Sequence, residues 1–311
     1  MVTEPFYWDM RKYKMNIDNI IKDLNMTKLT PVQKVGGLYI KREDMFKPFD
    51  FSNVNGTKLR QCIYLILKNI NTAKNGVLTC CSIHSPQGII VTSVCKYLNI
   101  KSTVFYGATT YERLDILPIP RMIKDIGGSL EIVSKIGRMS VLKSKAIKRK
   151  ENTSEFLVEH GMDLMENTDC FLKSVANQVQ NIPENLDNLV ITCGSAITTT
   201  GILYGLRLFN KDVKNIILVG VAPNRVEKIY KNLAELEDIL KIKLSDTEFK
   251  YIDLFSTKGF KYEKKEYANH FGLEFHPNYE AKTYKWLIKN IDYKNEKTCF
   301  WVIGGDINEE I

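Results

Sequence analysis

The sequence has no apolar run long enough to span a lipid bilayer, and no apolar core of a signal peptide appears in its first residues, MVTEPFYWDMRKYK. Its seven cysteines, an odd number, stand in apolar surroundings, and none shows the spacing of a zinc site. Buried thiols in a reducing compartment fit this pattern better than a disulfide framework does. We therefore predict a cytoplasmic protein with no membrane partner and no metal site.

The composition is that of a soluble globular protein with a basic balance. Lys and Arg number 44 against 36 Asp and Glu, so the formal net charge is +8 over 311 residues. Positive charge favours anionic ligands such as phosphates or carboxylates, and it leaves a nucleic-acid partner open. The one dense basic run is KSKAIKRK at residues 143–150, and a solvated helix face accounts for it better than a nucleic-acid patch.

Short apolar runs alternate with helix-like segments in two series, over residues 76–133 and 189–303, with a polar helical stretch between them. Strands that alternate with helices imply βαβ units and parallel sheets. We therefore predict an α/β fold of two lobes, each an open, mostly parallel sheet flanked by helices, with a cleft between them. Within the second series we also predict a helix over residues 263–271. Ligands of such sheets bind at the carboxyl ends of the strands.

Lys58 stands at one of these strand ends, in a corner that follows the polar turn Asn53–Thr57 and precedes a predicted helix from about Gln61. The start of a helix and partial burial both disfavour an ammonium group, so they lower the pKa of a lysine. A lysine that is partly neutral at pH 7 is a nucleophile able to form a Schiff base. The corner alone does not separate Lys58 from an ordinary solvated lysine.

A second corner, Ser82 to Gly88 (SIHSPQG), lies between a buried strand and a helix and carries hydroxyl groups, an imidazole and an amide. Backbone N–H groups and polar side chains at such a turn suit an anion such as a carboxylate. A helix capped by Ser85, with Pro86 at its first position, would account for the same residues.

A third corner, TCGSAITTTG at residues 192–201, can bring backbone amides close to a phosphate, with O–H donors from Ser195 and Thr198. It is neither a Walker loop nor a GxGxxG motif, and a plain capped turn would also explain it. The three corners together supply a lysine able to form an imine, a grip for a carboxylate and a cradle for a phosphate. A pyridoxal 5'-phosphate (PLP) enzyme that acts on an amino acid requires that set.

Six segments match motifs of a known family, in order along residues 38–306. They are Lys41-Arg42-Glu43-Asp44 for KRED, Lys58-Leu59-Arg60 for K-x-R, IHSPQ at 83–87 for a Q-S-N-type turn, GSAITTTGILYGL at 194–206 for G-S-G-G-T-x-x-G-x-x-x-G-L, HPNYEAK at 276–282 for D-P-x-Y-x-G-K, and FWVIGG at 300–305 for a closing strand and T-G-G. With these motifs the chain resembles the fold-type II PLP enzymes (tryptophan synthase β-like), nearest to the branch of 1-aminocyclopropane-1-carboxylate deaminase and D-cysteine desulfhydrase.

The resemblance implies a homodimer in which PLP lies between a large domain, residues 1–52 and 166–311, and a small mobile domain, residues 53–165. It implies that Lys58 holds the cofactor and that Ser85, Pro86 and Gln87 bind the substrate. Tyr262 and Tyr279 are candidates for a catalytic acid near the ring, although an aromatic side chain there also suits core packing. The residues expected around the cofactor are Lys58, Gly194, Ser195, Ala196, Ile197, Thr198 and Ile303.

Four departures from the family pattern bear on the reaction. Thr57 replaces the asparagine before the lysine, and Pro86 replaces the asparagine of Q-S-N. Ala196 and Ile197 replace two glycines of the phosphate loop, which gives it a bulkier lining. Ile303 replaces a hydroxyl residue that can meet the pyridine nitrogen, and without such a partner the ring is a weaker electron sink. Glu263 is a candidate for the acidic residue that some deaminases place nearby.

Three hypotheses follow. In the first, Lys58 forms a Schiff base with PLP and then abstracts the α-proton of a small amino acid, which leads to elimination or deamination. In the second, a PLP enzyme acts on an amino acid attached to a nucleotide or nucleic acid, for example by decarboxylation or replacement. In the third, suggested by Ile303, the chain binds the cofactor without catalysis.

Overall fold

The structure is a computed structural model that describes residues 17–163, 165–244, 246–262 and 264–304. Its strands are β1 (Val32–Val35), β2 (Leu38–Arg42), β3 (Val77–Cys80), β4 (Ser102–Gly107), β5 (Ser129–Ser134), β6 (Phe156–Val158), β7 (Leu186–Cys193), β8 (Val213–Gly220), β9 (Lys250–Asp253), β10 (Asn269–His270), β11 (Leu273–Glu274) and β12 (Thr298–Val302). Its α-helices are α1 (Ile17–Asp23), α2 (Thr57–Lys68), α3 (Ile70–Ala73), α4 (Gln87–Tyr97), α5 (Tyr111–Asp115), α6 (Pro118–Asp125), α7 (Met139–Asn152), α8 (Asp169–Ser174), α9 (Ile197–Leu208), α10 (Val226–Leu240) and α11 (Glu280–Asn290).

Two mostly parallel sheets form the framework, as the alternating pattern predicted. The larger sheet has the strand order β1-β2-β12-β7-β8-β9, and all its pairs are parallel except β1 with β2. The smaller sheet has the order β5-β4-β3-β6 and is wholly parallel. Every residue of β3 and of β12 is buried, because helices cover both faces of the sheets, and this is why these strands read as continuous apolar runs.

The two sheets draw on different parts of the chain. The larger sheet uses residues 32–42 and 186–302, and the smaller sheet uses residues 77–158. The division into a domain of residues 1–52 and 166–311 and a mobile domain of residues 53–165 stays a prediction.

Helix α2 is buried along almost its whole length and packs against α4 and α8. It begins at Thr57, earlier than the sequence predicted, so Lys58 lies in its first turn. Gly56 makes this start possible: its φ is +87°, and a Cβ atom there would lie 2.3 Å from the carbonyl oxygen of Ile303. Only glycine tolerates both conditions.

The predicted helix over residues 263–271 is wrong. Residue 263 lies outside the described residues, and residues 264–268 are irregular, after which β10 forms a short hairpin with β11. The aromatic side chains that a helix would have buried, Tyr267 and Phe271, are each 75% exposed. Without an apolar face to pack, helix propensity alone does not stabilise so short a segment.

All seven cysteines fall within the described residues, and each is a buried free thiol, as predicted. Burial raises their pKa values, for example that of Cys81 to about 12, so they stay protonated. In the described ranges, no helix has the length and apolar character needed to cross a membrane.

Candidate active site

Lys58 is half-buried, and its amino group has an unusual acidity. Burial lowers its pKa to about 8, and the positive charge of Lys228 acts in the same direction. About a tenth of such a side chain is neutral at pH 7, which makes it a competent nucleophile and proton carrier.

The KRED and K-x-R motifs meet beneath Lys58 in a buried ionic cluster. The Oε2 atom of Glu43 accepts a hydrogen bond from the Thr57 hydroxyl at 3.3 Å and lies 3.9 Å from the Nε atom of Arg60. The other carboxylate oxygen lies 3.7 Å from the amino group of Lys41. Glu43 therefore fixes the residues on both sides of Lys58, which explains why the two motifs occur together.

Lys41 shows that a lowered pKa alone does not identify a catalytic lysine. Burial lowers its pKa to about 8 as well. Its amino group, however, donates to the carbonyl oxygen of Thr30 at 2.9 Å, to Asn181 at 2.7 Å and to Gln178 at 3.2 Å. All its donors therefore have protein acceptors, and Lys41 is a structural residue.

The end of β12 lies directly beside the Lys58 corner. The Thr57 amide donates to the carbonyl oxygen of Ile303 at 2.9 Å. The amides of Ile303 and Gly304 donate to Oε1 of Glu280 at 3.0 and 3.2 Å, which joins the start of α11 to the same place. Ile303 is thus brought to the corner, and its side chain has no group that can form a hydrogen bond with a ring nitrogen.

The third corner forms the start of α9. Ala196 has a φ of +73°, so the loop keeps a backbone shape suited to glycine even though a methyl group is present. The Gln61 side chain donates to the Thr198 hydroxyl at 3.3 Å, which links the helix of Lys58 to this loop. A Cβ atom at Gly194 would meet nothing within 4 Å, so open space lies there for a ligand.

At the second corner, the side chains of Pro86 and Gln87 have no donor left for a ligand. The Gln87 amide nitrogen donates to Thr79 at 2.8 Å and to the carbonyl oxygen of Glu159 at 2.9 Å, and its oxygen accepts from the Gly161 amide at 2.7 Å. Pro86 has no N–H. The Ser85 hydroxyl accepts a hydrogen bond from the backbone N–H of Gln87 at 3.3 Å, and its own proton is still available to donate.

Tyr262 and Tyr279 contact each other. Their hydroxyl oxygens are 2.8 Å apart, and their rings meet edge to face at 6.1 Å between centroids. Tyr279 directly precedes Glu280, so the pair lies on the side of α11 that reaches β12. Glu263 lies outside the described residues.

His160 is a site residue that the sequence reasoning missed. Its Nδ1 atom is buried and has no hydrogen-bond partner within the part of the chain that is described. Burial and the charges of Lys58, Lys143, Arg225 and Lys228 lower its pKa to about 4. The sequence signal that could have pointed to His160 was the apolar run Phe156–Val158, which forms strand β6 just before it. With three residues, the run was too short for a strand to be predicted.

The loop after β6 joins the corners. Gly161 binds Gln87 through its amide, and a Cβ atom at Gly161 would lie 3.2 Å from Cβ of Ser195. With the links from Thr57 to Ile303 and from Gln61 to Thr198, the three predicted corners lie next to one another. No group of three metal-ligating side chains occurs among the described residues.

Comparison with known proteins agrees with this geometry. The profile of the family described as pyridoxal-phosphate dependent enzymes matches residues 20–266. The chain belongs to that family. The predictions of an enzyme, of PLP as its cofactor and of the fold-type II architecture are thereby confirmed, and membership speaks against the non-catalytic hypothesis.

This PLP enzyme is similar to a curated protein and to solved structures. It is 24% identical to the O-seryl-dTMP PLP-dependent decarboxylase of Salmonella phage ViI, over 93% of this chain and 84% of that protein. Its fold matches an ACC deaminase homologue with a TM-score of 0.72 at 18% identity, covering 93% of this chain and 95% of the other. It also matches the O-acetylserine dependent cystathionine beta-synthase of Helicobacter pylori with a TM-score of 0.63 at 16% identity, covering 92% and 95%.

The residues present fit PLP. Lys58 supplies an amino group of lowered pKa, and the first amides of α9 have no acceptor within the helix, so they can bind a phosphate. The open space at Gly194 lies at the same loop.

Proposed function

We propose that this enzyme decarboxylates an amino acid attached to a nucleotide, with PLP held by Lys58. The observation that carries the reaction type is the shortage of donors at Ser85, Pro86 and Gln87, the three residues predicted to bind the substrate. The Gln87 amide is engaged by Thr79, Glu159 and Gly161, and Pro86 has no N–H. Of these three residues, Ser85 alone has a side-chain donor, its hydroxyl group, left for a substrate carboxylate.

A poorly solvated carboxylate loses CO2 more readily than a well-solvated one. Its negative charge disperses as the bond to Cα breaks, so an environment with few hydrogen-bond donors destabilises the starting state more than the transition state. A corner of this kind favours loss of the carboxylate over its retention.

The substrate class is supported by the similarity to the phage ViI protein, which extends over 93% of this chain. That protein is named for a decarboxylation and for a substrate in which serine is attached to a nucleotide. The formal charge of +8 suits a substrate that carries a phosphate.

When bound, PLP supplies an electron-withdrawing ring that accepts the electron pair left at Cα. The amides of Ser195 and Thr198, with their hydroxyl groups, would hold its phosphate. Ile303 would face the ring nitrogen without a proton donor or acceptor. Lys58, mostly protonated at pH 7, would deliver a proton to Cα after CO2 has left, and Tyr262 or Tyr279 is a candidate for a further acid.

A second candidate is elimination or deamination of a small amino acid. The pKa of Lys58 supports it, because a lysine with a pKa of about 8 is also able to remove the α-proton as a base. In that case the carboxylate would be retained, and ammonia would be released.

The test is to incubate the holoenzyme with O-seryl-dTMP and, separately, with free D- and L-amino acids, and to measure CO2 and ammonia. We expect CO2 from the nucleotide-linked substrate and no ammonia from the free amino acids. Lys58→Ala should abolish the release, whereas Lys68→Ala, on the exposed side of the same helix, should retain it. Ammonia from a free amino acid, without CO2 from O-seryl-dTMP, would replace the first candidate by the second.

A further inference from the structure

The segment that follows β9, residues 255–267 with the sequence FSTKGFKYEKKEY, combines aromatic and basic side chains. It contains four aromatic residues and four lysines against two glutamates. Proteins bind exposed nucleobases and their phosphates with this combination, because every base can stack on an aromatic ring and a lysine attracts the phosphate. Of these side chains, the proposed reaction involves only Tyr262.

The segment begins at the same edge of the larger sheet as the phosphate loop. Asp253, the last residue of β9, pairs with Gly220 of β8, and Gly220 pairs with Cys193, directly before the loop that starts at Gly194. The N–H group of Phe255 donates to the carbonyl oxygen of Gly220 at 3.3 Å. Asp253 is thus two strand spacings, about 10 Å, from the start of the phosphate loop. An amino acid with an attached nucleotide is long enough to reach from the cofactor to this segment.

Phe255 and Phe260 form an aromatic pair at this edge. Their ring centroids are 6.0 Å apart, and the rings are inclined at 57°. Phe255 is 37% exposed, and Phe260 is half-buried. The turn between them is held by its own hydrogen bonds: Asp253 accepts from the N–H and the hydroxyl group of Ser256 at 3.0 and 2.9 Å, and Phe260 donates to the carbonyl oxygen of Thr257 at 3.0 Å. A preformed turn that exposes aromatic rings loses little conformational entropy when a flat ligand binds.

Lys282 joins the aromatic pair to the two tyrosines of the candidate site. Its buried amino group donates to the carbonyl oxygens of Lys261 at 3.1 Å and Tyr262 at 2.8 Å, and it lies 4.7 Å from the ring centroid of Phe260. A buried ammonium group requires such acceptors, so Lys282 fixes the end of the loop. Tyr262 in turn contacts Tyr279 through its hydroxyl group. The aromatic side chains therefore continue from the tyrosine pair to the exposed ring of Phe255.

Lys258 and Lys261 place positive charge beside the aromatic pair. Lys258 lies between the two phenylalanines along the chain, Lys261 directly follows the second, and both side chains are exposed. Within the described part of the chain, neither amino group forms an ion pair with a carboxylate. Glu266, a carboxylate of the same segment, is paired with Lys285 at 3.0 Å. The charge of the two lysines therefore suits a phosphate.

We propose that this loop binds the nucleotide part of the substrate, with the base stacked on Phe255 and Phe260 and the phosphate contacted by Lys258 and Lys261. The inference rests on the proposed function, because it assigns a position to the nucleotide of that substrate. The chemistry that is recognised, an aromatic base next to a phosphate, is the same in a free nucleotide and in a nucleotide within a nucleic-acid strand.

The first test is the affinity of the PLP-loaded enzyme for dTMP, measured by calorimetry. Phe255→Leu should weaken binding at least about fivefold, because stacking of a base on an aromatic ring contributes a factor of this size or more. Phe255→Trp keeps an aromatic face and should bind dTMP at least as tightly as the wild type. Phe271→Leu is the matched control, since it makes the same change at an exposed phenylalanine between β10 and β11, and it should bind like the wild type. Cofactor absorbance should be equal in all four proteins.

The second test compares dTMP with thymidine. The wild type should bind dTMP about three- to tenfold more tightly, and the double variant Lys258→Gln/Lys261→Gln should lose that advantage and bind thymidine unchanged. Lys289→Gln/Lys294→Gln removes two charges from exposed lysines elsewhere and should behave like the wild type.

An oligothymidylate distinguishes the two sources of the nucleotide. Binding at least about tenfold tighter than that of dTMP would identify a nucleic-acid strand, and equal affinity would identify the free nucleotide. In either case, Phe255→Leu should weaken the binding of both probes, which supports the site.

Wild-type dTMP affinity in Phe255→Leu, or no binding of dTMP and oligothymidylate to the wild type, would overturn the inference. Unchanged dTMP binding with altered sedimentation in Phe255→Leu would assign the rings to a contact between copies of the chain instead. The two proposals fail separately. Release of CO2 from O-seryl-dTMP with an unchanged KM in Phe255→Leu refutes the nucleotide site alone. Weakened dTMP binding in that variant, without CO2 release by the wild type, refutes the decarboxylation alone.

Discussion

Replacing Lys228 by glutamine should raise the pKa of Lys58. The charge of Lys228 is the second cause of the lowered value, after burial, so the pKa of Lys58 should move from about 8 towards 10.5 and stay nearer 8. The neutral fraction of Lys58 at pH 7, about a tenth in the wild type, should therefore fall by less than about 20-fold. A change of this size in the neutral fraction of Lys58 can be measured directly, and it does not abolish the function of the site.

The assay is the rate at which Lys58 is acetylated in cofactor-free protein between pH 6 and 11, read by mass spectrometry of the peptide that carries it. Because the neutral amine reacts, the rate follows the titration of Lys58. Lys231→Gln is the matched control, since it removes the same charge one turn further along α10, and its profile should match the wild type. A wild-type midpoint near 10.5, or the same midpoint in Lys228→Gln and the wild type, would refute the account of how the site activates its lysine.

Three further substitutions test the framework of the site. Lys58→Met should abolish activity. In cofactor-free protein at pH 7 it should raise the free energy of unfolding by up to about 3 kcal/mol. This advantage is lost as the pH rises from 8 to 10.5, because the wild-type lysine loses its charge there; urea unfolding of the cofactor-free proteins at pH 7 and pH 10 measures both values. Glu43→Gln should lower the free energy of unfolding by about 3–5 kcal/mol, because Lys41 and Arg60 lose their buried counter-charge. Urea unfolding measures the loss, and a value below about 1 kcal/mol would contradict the role assigned to Glu43. Ala196→Gly should leave PLP affinity unchanged and raise the melting temperature, since removing the strain of an alanine in the left-handed region stabilises the fold by about 1 kcal/mol. A lower melting temperature would contradict this account of Ala196.

The parts of the candidate site whose local structure the sequence predicted are short contiguous segments. Which of their residues bind the cofactor or the substrate stays a prediction. The Lys58 corner and the phosphate loop depend on a local strand, turn and helix, and β12 with Ile303 follows from one apolar run. The domain boundaries, the homodimer and the cytoplasmic location stay predictions.

The parts that sequence did not predict depend on partners far apart in the chain. Gln87 was expected to bind substrate, yet its amide is bonded to Thr79 on β3 and to residues that follow β6. A single amide in a turn gives no sign of such partners. His160 was missed for the same reason, because the positive charges that lower its pKa belong to separate elements of the structure.

The position of β12 has a consequence for synthesis of the protein. This strand, the last of the described strands along the chain, lies between β2, the second of them, and β7. On the ribosome, strands β1 and β2 therefore cannot pair with the rest of their sheet until residues 298–302 have been made. Thr57 likewise lacks its acceptor until Ile303 has emerged. A nascent chain that stops short of this strand contains Lys58 but lacks the contacts that position it, so we expect activity only after residues 298–303 have been made.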